Sequence, residues 1–136
     1  SLYEAALDQF GDNATVYAAM GDTYKALELY TEAEEQYQRA ITVEPGQFTH
    51  YLKLATLYRY RMQVPPQQVL AVYASALERL VIGSPDIYKD RALYYESLGS
   101  YAAAAEDWKA VMQLEPTNPG AKGEYERLRA LVQEKK

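Results

Sequence analysis

The sequence has 136 residues, of which 49% are apolar and 24% are charged, proportions typical of a globular domain rather than a disordered chain. Its net charge of −5 argues against general nucleic-acid binding, and no uncharged apolar run reaches the roughly 18 residues that a membrane span requires. The absence of cysteine excludes disulfides and thiolate ligands and fits a cytoplasmic location.

Apolar residues recur at spacings of three and four through most of the chain, a pattern that predicts amphipathic helices. In residues 1–13 the apolar positions are Tyr3, Ala6 and Leu7, which precede the turn-forming sequence GDN. These residues are predicted to end a second helix whose partner helix is missing. The chain is therefore expected to begin within a structural unit.

Residues 14–47 are predicted to form a hairpin of two helices that break near Glu28–Thr31. Small residues in the pattern suit a close approach of the helices, and aromatic residues fill the space between them. The positions that define the hairpin are Tyr17, Met20, Gly21, Tyr24, Tyr30, Ala33, Tyr37, Ala40 and Pro45.

The end of this hairpin recurs later in the chain. The sequence QYQRAITVEP at 36–45 is similar to DWKAVMQLEP at 107–116, 71 residues further on. Residues 85–118 are therefore predicted to form an equivalent hairpin. The distance between the two copies leaves room for one more unit.

The intervening residues 48–84 fit the same hairpin less closely and need three extra residues. Two of these fall around the sequence QVPPQQ at 63–68, where the prolines predict the end of one helix and an extended elbow. The elbow is either a tolerated surface insertion or a contact for a partner.

Residues 119–136 are predicted to form a single helix, with Asn118 as its N-cap and Pro119 as its first residue. One stripe of this helix is apolar. Such a helix covers the last open face of an array of hairpins. The stripe consists of Tyr125, Leu128, Leu131 and Val132.

These features resemble the tetratricopeptide repeat, a 34-residue hairpin of two antiparallel helices. Arg91 and Ala92 depart from the usual leucine–glycine pair of that family. The resemblance implies an all-α, right-handed solenoid of antiparallel helix hairpins that forms one array over 1–136. The units are a partial repeat at 1–13, repeats at 14–47, 48–84 and 85–118, and a C-terminal capping helix at 119–136.

Packing positions of the repeats account for 11 of the 14 tyrosines, which leaves Tyr60, Tyr94 and Tyr125.

The sequence does not predict catalysis, a metal site or a cofactor. His50 is the single histidine, and we expect it at the exposed start of a helix. A lone histidine without cysteine cannot form a multi-histidine metal site or a nucleophile–base pair. Several carboxylates are interpreted as helix-start charges favoured by the helix dipole. These are Glu32, Glu34, Glu35, Glu106 and Asp107.

In the family that the sequence resembles, the first helices of successive repeats line a concave groove that receives a peptide or another protein. That resemblance places fifteen residues along the groove: Thr15, Ala18, Asp22, Lys25, Thr49, Leu52, Lys53, Thr56, Arg59, Tyr60, Asp86, Lys89, Asp90, Leu93 and Glu96. The predicted ligand site comprises Asp22, Lys25, Lys53, Thr56, Arg59, Tyr60 and Lys89.

Charge alternates between the units, with net values of −4 for 14–47, +3 for 48–84 and −3 for 85–118. One interpretation is a basic site, formed by Lys53, Arg59 and Lys89 with Tyr60, that receives an acidic or C-terminal segment. The other is charge alternation between stacked neighbours that serves solubility and register. The family's carboxylate clamp for chaperone tails is absent in this register, because Ala18 and Asp22 stand where the clamp has lysine and asparagine.

The sequence therefore predicts a non-catalytic scaffold that binds a protein or peptide. A structural spacer, or a self-association module that uses the open N-terminal face, is the alternative. RNA binding by a related pentatricopeptide array is a third interpretation, and the acidic net charge speaks against it.

Overall fold

The computed structural model describes residues 13–80, 82 and 84–134 of the protein. The predicted helix end at 1–13, with Tyr3, Ala6 and Leu7, lies outside these residues except for Asn13. The chain divides into two compact units, residues 1–82 and 83–136.

All regular secondary structure in the described residues is helical. In the first unit, α1 (Ala14–Ala26) pairs with α2 (Tyr30–Val43), and α3 (Phe48–Leu57) continues into a π-helical turn (Tyr58–Met62) before α4 (Pro66–Arg79). In the second unit, α5 (Ser84–Ser97) packs on α6 (Tyr101–Leu114), which packs on α7 (Pro119–Glu134).

A close contact between Gly21 and Tyr37 sets the spacing of α1 and α2. A Cβ atom at Gly21 would overlap the Tyr37 ring, which is completely buried. Glycine therefore lets the aromatic ring lie directly against the backbone of the facing helix. The small and aromatic residues of the predicted pattern meet here as the sequence analysis expects.

The turns that close the first and last hairpins have the same geometry. Glu28 has φ 62° and Gly99 has φ 77°, so both adopt the left-handed conformation that ends many helices. The N–H of Leu29 donates to the Tyr24 carbonyl, and that of Ser100 donates to the Tyr95 carbonyl, each at 2.9 Å. Glycine adopts this conformation without strain, whereas glutamate does not.

The middle hairpin closes differently. The end of α3 widens to the π-helical turn, and Gln63 follows it with a left-handed φ of 53°. Pro66 is the first residue of α4. Of residues 63–68, only 63–65 lie outside helical structure, so the elbow is shorter than predicted. Prolines indicate where the next helix begins, but they do not reveal that the preceding helix changes its pitch.

Asn118 caps α7 as predicted. Its Oδ1 atom accepts the N–H groups of Gly120 at 3.0 Å and Ala121 at 3.2 Å. Leu128 of α7 is fully buried in the core of the second unit. Arg127 forms two hydrogen bonds to the Glu96 carboxylate, at 2.9 and 2.8 Å, which join α7 to α5.

The assignment of Asp107 as a helix-start charge is wrong, and Glu106 does not begin a helix either. Both lie near the middle of α6, and Asp107 is only 3% exposed. Arg91 donates two hydrogen bonds to its carboxylate, at 2.9 and 2.7 Å, while the rings of Tyr88 and Tyr95 lie 5.6 Å from the guanidinium carbon. The bond to Asp107 raises the pKa of Arg91 above its ordinary value.

The two left-handed turns predict opposite responses to substitution. Glu28→Gly is expected to stabilise the protein by about 0.5–1 kcal/mol, because it removes the strain of a left-handed glutamate. Gly99→Ala is expected to destabilise it by about 1 kcal/mol for the converse reason. Urea unfolding followed by circular dichroism measures both changes. Gly46→Ala is the control, since Gly46 has no positive φ and no atom within 4 Å of an added Cβ, and it should cause no loss.

The buried pair in the second unit predicts a strongly non-additive double mutant. Arg91→Met leaves an uncompensated buried carboxylate and is expected to cost about 3–5 kcal/mol of unfolding free energy. The double variant Arg91→Met, Asp107→Leu should recover most of that loss, because no buried charge remains. Arg39→Met, which removes the exposed Arg39–Glu35 pair, is the matched control and should cost about 1 kcal/mol or less. Additive effects of the two single changes would contradict the assigned role.

Candidate ligand-binding site

A cleft of about 300 Å³ lies between α1 and α3, the first helices of the two hairpins in the first unit. Five of the predicted groove residues line it: Thr15, Ala18, Asp22, Thr49 and Lys53. Their common placement follows from the helical period, which puts residues three and four apart on one face. We call this space the α1–α3 cleft.

Asp22 is the centre of a hydrogen-bond network that joins three helices. The Tyr37 hydroxyl of α2 donates to Asp22 Oδ1 at 2.6 Å, and Lys53 Nζ of α3 donates to Oδ2 at 2.6 Å. Burial opposes ionisation of the Asp22 carboxyl, but the hydrogen bonds from Lys53 and Tyr37 outweigh it and lower its pKa. Burial and the bond to Asp22 raise the pKa of Tyr37 far above its ordinary value.

Four residues of the predicted ligand site belong to the first unit but lie outside the lining of the α1–α3 cleft. Lys25 is near enough for its charge to contribute to the lowered pKa of Asp22, and Thr56 is exposed on α3. The Arg59 guanidinium lies 4.8 Å from the centre of the Tyr60 ring, which is 61% exposed. Arg59 and Tyr60 belong to the π-helical turn, where the α-helical spacing that predicted their direction no longer applies.

Lys89, the remaining predicted residue, lies in the second unit. Its Nζ atom is 3.0 Å from Glu115 Oε1. The hydrogen bond from Asn118, followed by that from Lys89, lowers the pKa of Glu115. Each of the three proposed cations, Lys53, Arg59 and Lys89, thus has an anionic or aromatic neighbour within its own unit.

His50 is the main correction to the expected site. It is buried, with 5% of its surface exposed, and its Nε2 atom lies 2.8 Å from Glu44 Oε1. Both residues line the α1–α3 cleft. The repeated glutamate–proline sequence could have predicted this contact. Glu44 and Glu115 follow the second helix of their hairpins, and each contacts a first helix, through His50 of α3 and Lys89 of α5.

The described residues contain no group of three or more histidine, cysteine, aspartate or glutamate side chains arranged to hold a metal ion. None of their helices combines the length and apolar character needed to cross a bilayer. In the α1–α3 cleft, Asp22 is held by two donors and Lys53 by its carboxylate.

The helices and the cleft together define a helical-repeat protein. Residues 14–47 match the family model of the tetratricopeptide repeat. No curated protein matches the sequence.

Solved structures of tetratricopeptide proteins share the fold. The Arabidopsis OM64 TPR domain is 25% identical, with a TM-score of 0.62, over 86% of this chain and 94% of that chain. The first TPR of Spaghetti (RPAP3), bound to the HSP90 peptide SRMEEVD, is 21% identical, with a TM-score of 0.66, over 88% and 93%. A tetratricopeptide repeat protein from Parabacteroides merdae ATCC 43184 is 19% identical, with a TM-score of 0.69, over 97% and 57%. The family model thus covers the first hairpin of the chain, and the predicted all-α fold of helix hairpins is confirmed.

The Asp22 network predicts a specific loss of stability when the buried hydroxyl is removed. Tyr37→Phe is expected to lower the unfolding free energy by about 1–3 kcal/mol, because it removes a donor to a carboxylate but keeps the packed ring. Tyr60→Phe, at an exposed tyrosine, is the control and should change stability by less than about 0.5 kcal/mol. Equal effects of the two substitutions would contradict the network.

The same network predicts a dependence on pH. The pKa of Asp22 is lower in the folded protein than in the unfolded chain, where it is about 4. The ionised carboxylate therefore contributes stability above pH 4. That contribution is lost as the pH falls through the pKa of the folded protein. Asp22→Asn should therefore destabilise the protein at pH 7 and have progressively less effect below pH 4. Urea unfolding at pH 7, 5 and 3 measures this difference between the parent and the variant.

Proposed function

We propose that the protein is a non-catalytic scaffold that binds a peptide or a segment of another protein in the α1–α3 cleft. The observation that carries this proposal is the cleft itself, formed by the first helices of two consecutive hairpins and lined by Asp22 and Lys53. Domains of this repeat family are interaction modules. The RPAP3 domain, which has the same fold, was solved with a peptide that contains three acidic residues.

The ligand proposed for the cleft is an acidic segment. Lys53 is the cation that would receive a ligand carboxylate, and Lys25 lies near the same position. Asp22 now neutralises Lys53, so an acidic ligand has to compete with it. The hydrogen bond from Tyr37 holds Asp22 in place during that exchange, which leaves Lys53 free to turn toward the ligand.

The extent of the binding surface is also part of the proposal. Arg59, Tyr60 and the exposed Thr56 would continue the contact along the first unit, whereas Lys89, in the second unit, stays a predicted ligand contact. The array would consist of the repeats 14–47, 48–84 and 85–118 with the partial repeat 1–13 and the cap 119–136. The cytoplasmic location stays a prediction.

Fluorescence anisotropy with labelled peptides tests this function. The probes are the acidic peptide SRMEEVD and its charge-reversed counterpart SRMKKVK. The parent protein should bind only the acidic probe, and Lys53→Glu should weaken that binding at least tenfold. Asp22→Asn should strengthen it several-fold, because the competing carboxylate is gone. Lys109→Glu, an equal charge change at an exposed residue of α6, should have no effect.

Three results would overturn the proposal: no binding of the acidic probe, equal binding to Lys53→Glu, or no gain from Asp22→Asn. Self-association is the competing function. Sedimentation velocity over a hundredfold concentration range separates the two, since a scaffold keeps one mass while a self-associating protein does not.

A further inference from the structure

A second concave region lies on the first unit, away from the α1–α3 cleft. It begins with a cavity of about 310 Å³, which is lined by Ile41 of α2, Leu54 of α3 and Tyr58 of the π-helical turn. Helix α4 contributes Val72 and Ser75. A second cavity adjoins it at Ile41, which lines both. Together these cavities form one groove between α2 and α4, which we call the α2–α4 groove.

The floor of the first cavity is apolar, and its rim is polar without charge. Ile41, Leu54 and Val72 are buried core residues that still face the cavity. The rim carries the amide groups of Gln38 and Gln68. An engineered apolar cavity of about 150 Å³ holds a benzene molecule, so a cavity of about 310 Å³ has room for two large apolar side chains.

The two ends of the groove differ in charge. At one end, Gln38 donates to the Tyr58 hydroxyl at 3.4 Å, and burial together with a hydrogen bond to Glu34 raises the pKa of Tyr58 to about 12. At the other end, Arg79 lines the second cavity and is exposed in the last turn of α4. Arg79 forms no hydrogen bond or ion pair with any residue in the described part of the chain. A ligand carboxylate would supply that partner.

The backbone around the groove selects the form of the ligand. α2 and α4 use their backbone groups internally, so the groove offers side-chain contacts and no edge on which an extended strand could pair. A ligand that lies on an apolar floor must then satisfy its own backbone, which a helix does. Val72 and Arg79 are seven residues apart on α4, about 10 Å along its axis.

We infer that the α2–α4 groove is a second docking surface, and that its occupant is an amphipathic helix of another protein. Two apolar side chains one turn apart would fill the cavity floored by Ile41 and Val72. An acidic side chain one turn further along would pair with Arg79, which matches the distance along α4. This surface is separate from the α1–α3 cleft and does not depend on the function proposed for it.

The test begins with a selection of helical peptides from a display library against the full 136-residue protein. We expect the selected peptides to share an apolar pair, one turn apart, followed by an acidic residue. The dissociation constants of labelled peptides are then measured by fluorescence anisotropy. Ser75→Arg, which fills the mouth of the cavity, should weaken binding at least tenfold, whereas Ser75→Ala should not.

Charge reversal identifies the role of Arg79. Arg79→Glu should weaken binding of the acidic peptide at least tenfold and should favour the same peptide with lysine at the acidic position. Lys109→Glu, an equal charge change at an exposed residue of α6, should leave both affinities unchanged. Equal helicity and melting temperature of every variant are checked by circular dichroism.

Several outcomes would overturn the inference. These are a selection without the apolar–acidic pattern, binding that survives Ser75→Arg, binding that is lost on Lys109→Glu, and a charge preference that Arg79→Glu does not change. A second copy of the chain is the other possible occupant. Self-association in sedimentation velocity that Ser75→Arg abolishes would show that occupant and overturn docking of a different protein.

Discussion

The ring of Tyr37 lies against the backbone of Gly21, and the geometry of the first unit depends on that contact. Because glycine has no Cβ, α1 and α2 approach until the tyrosine hydroxyl reaches Asp22 at 2.6 Å. Asp22 in turn holds Lys53 of the next hairpin. A packing contact in the core thus positions the charged groups of the α1–α3 cleft.

The second unit solves the same packing problem with different chemistry. Arg91 and Asp107 lie 71 residues after Met20 and Gln36 and occupy the corresponding positions. A buried ion pair therefore stands where the first unit has two uncharged side chains. The tyrosines that flank Arg91 correspond to tyrosines of the first hairpin. The position of Asp22 is taken by Leu93, which is exposed. The polar network of the first cleft therefore has no counterpart at that position.

Local patterns allowed most of the fold to be predicted, whereas contacts between distant residues were harder to foresee. The helical faces and the Asn118 cap follow from spacing and from short-range hydrogen bonding, and so does the grouping of Thr15, Asp22 and Lys53. The burial of His50 depends on Glu44, and that of Asp107 depends on Arg91. The π-helical turn at Tyr58–Met62 has no signature of spacing, which is why the directions of Arg59 and Tyr60 could not be deduced.

That π-helical turn also bears on how a repeat can change its length. One residue inserted into an ordinary α-helix rotates every later side chain by about 100° and would turn the buried face of the helix toward solvent. A turn closed by i→i+5 hydrogen bonds takes up an additional residue within itself. An array can therefore gain residues inside a helix while the faces on either side keep their partners. A repeat family defined by a fixed period of 34 residues can accordingly contain units that a search for that period alone would pass over.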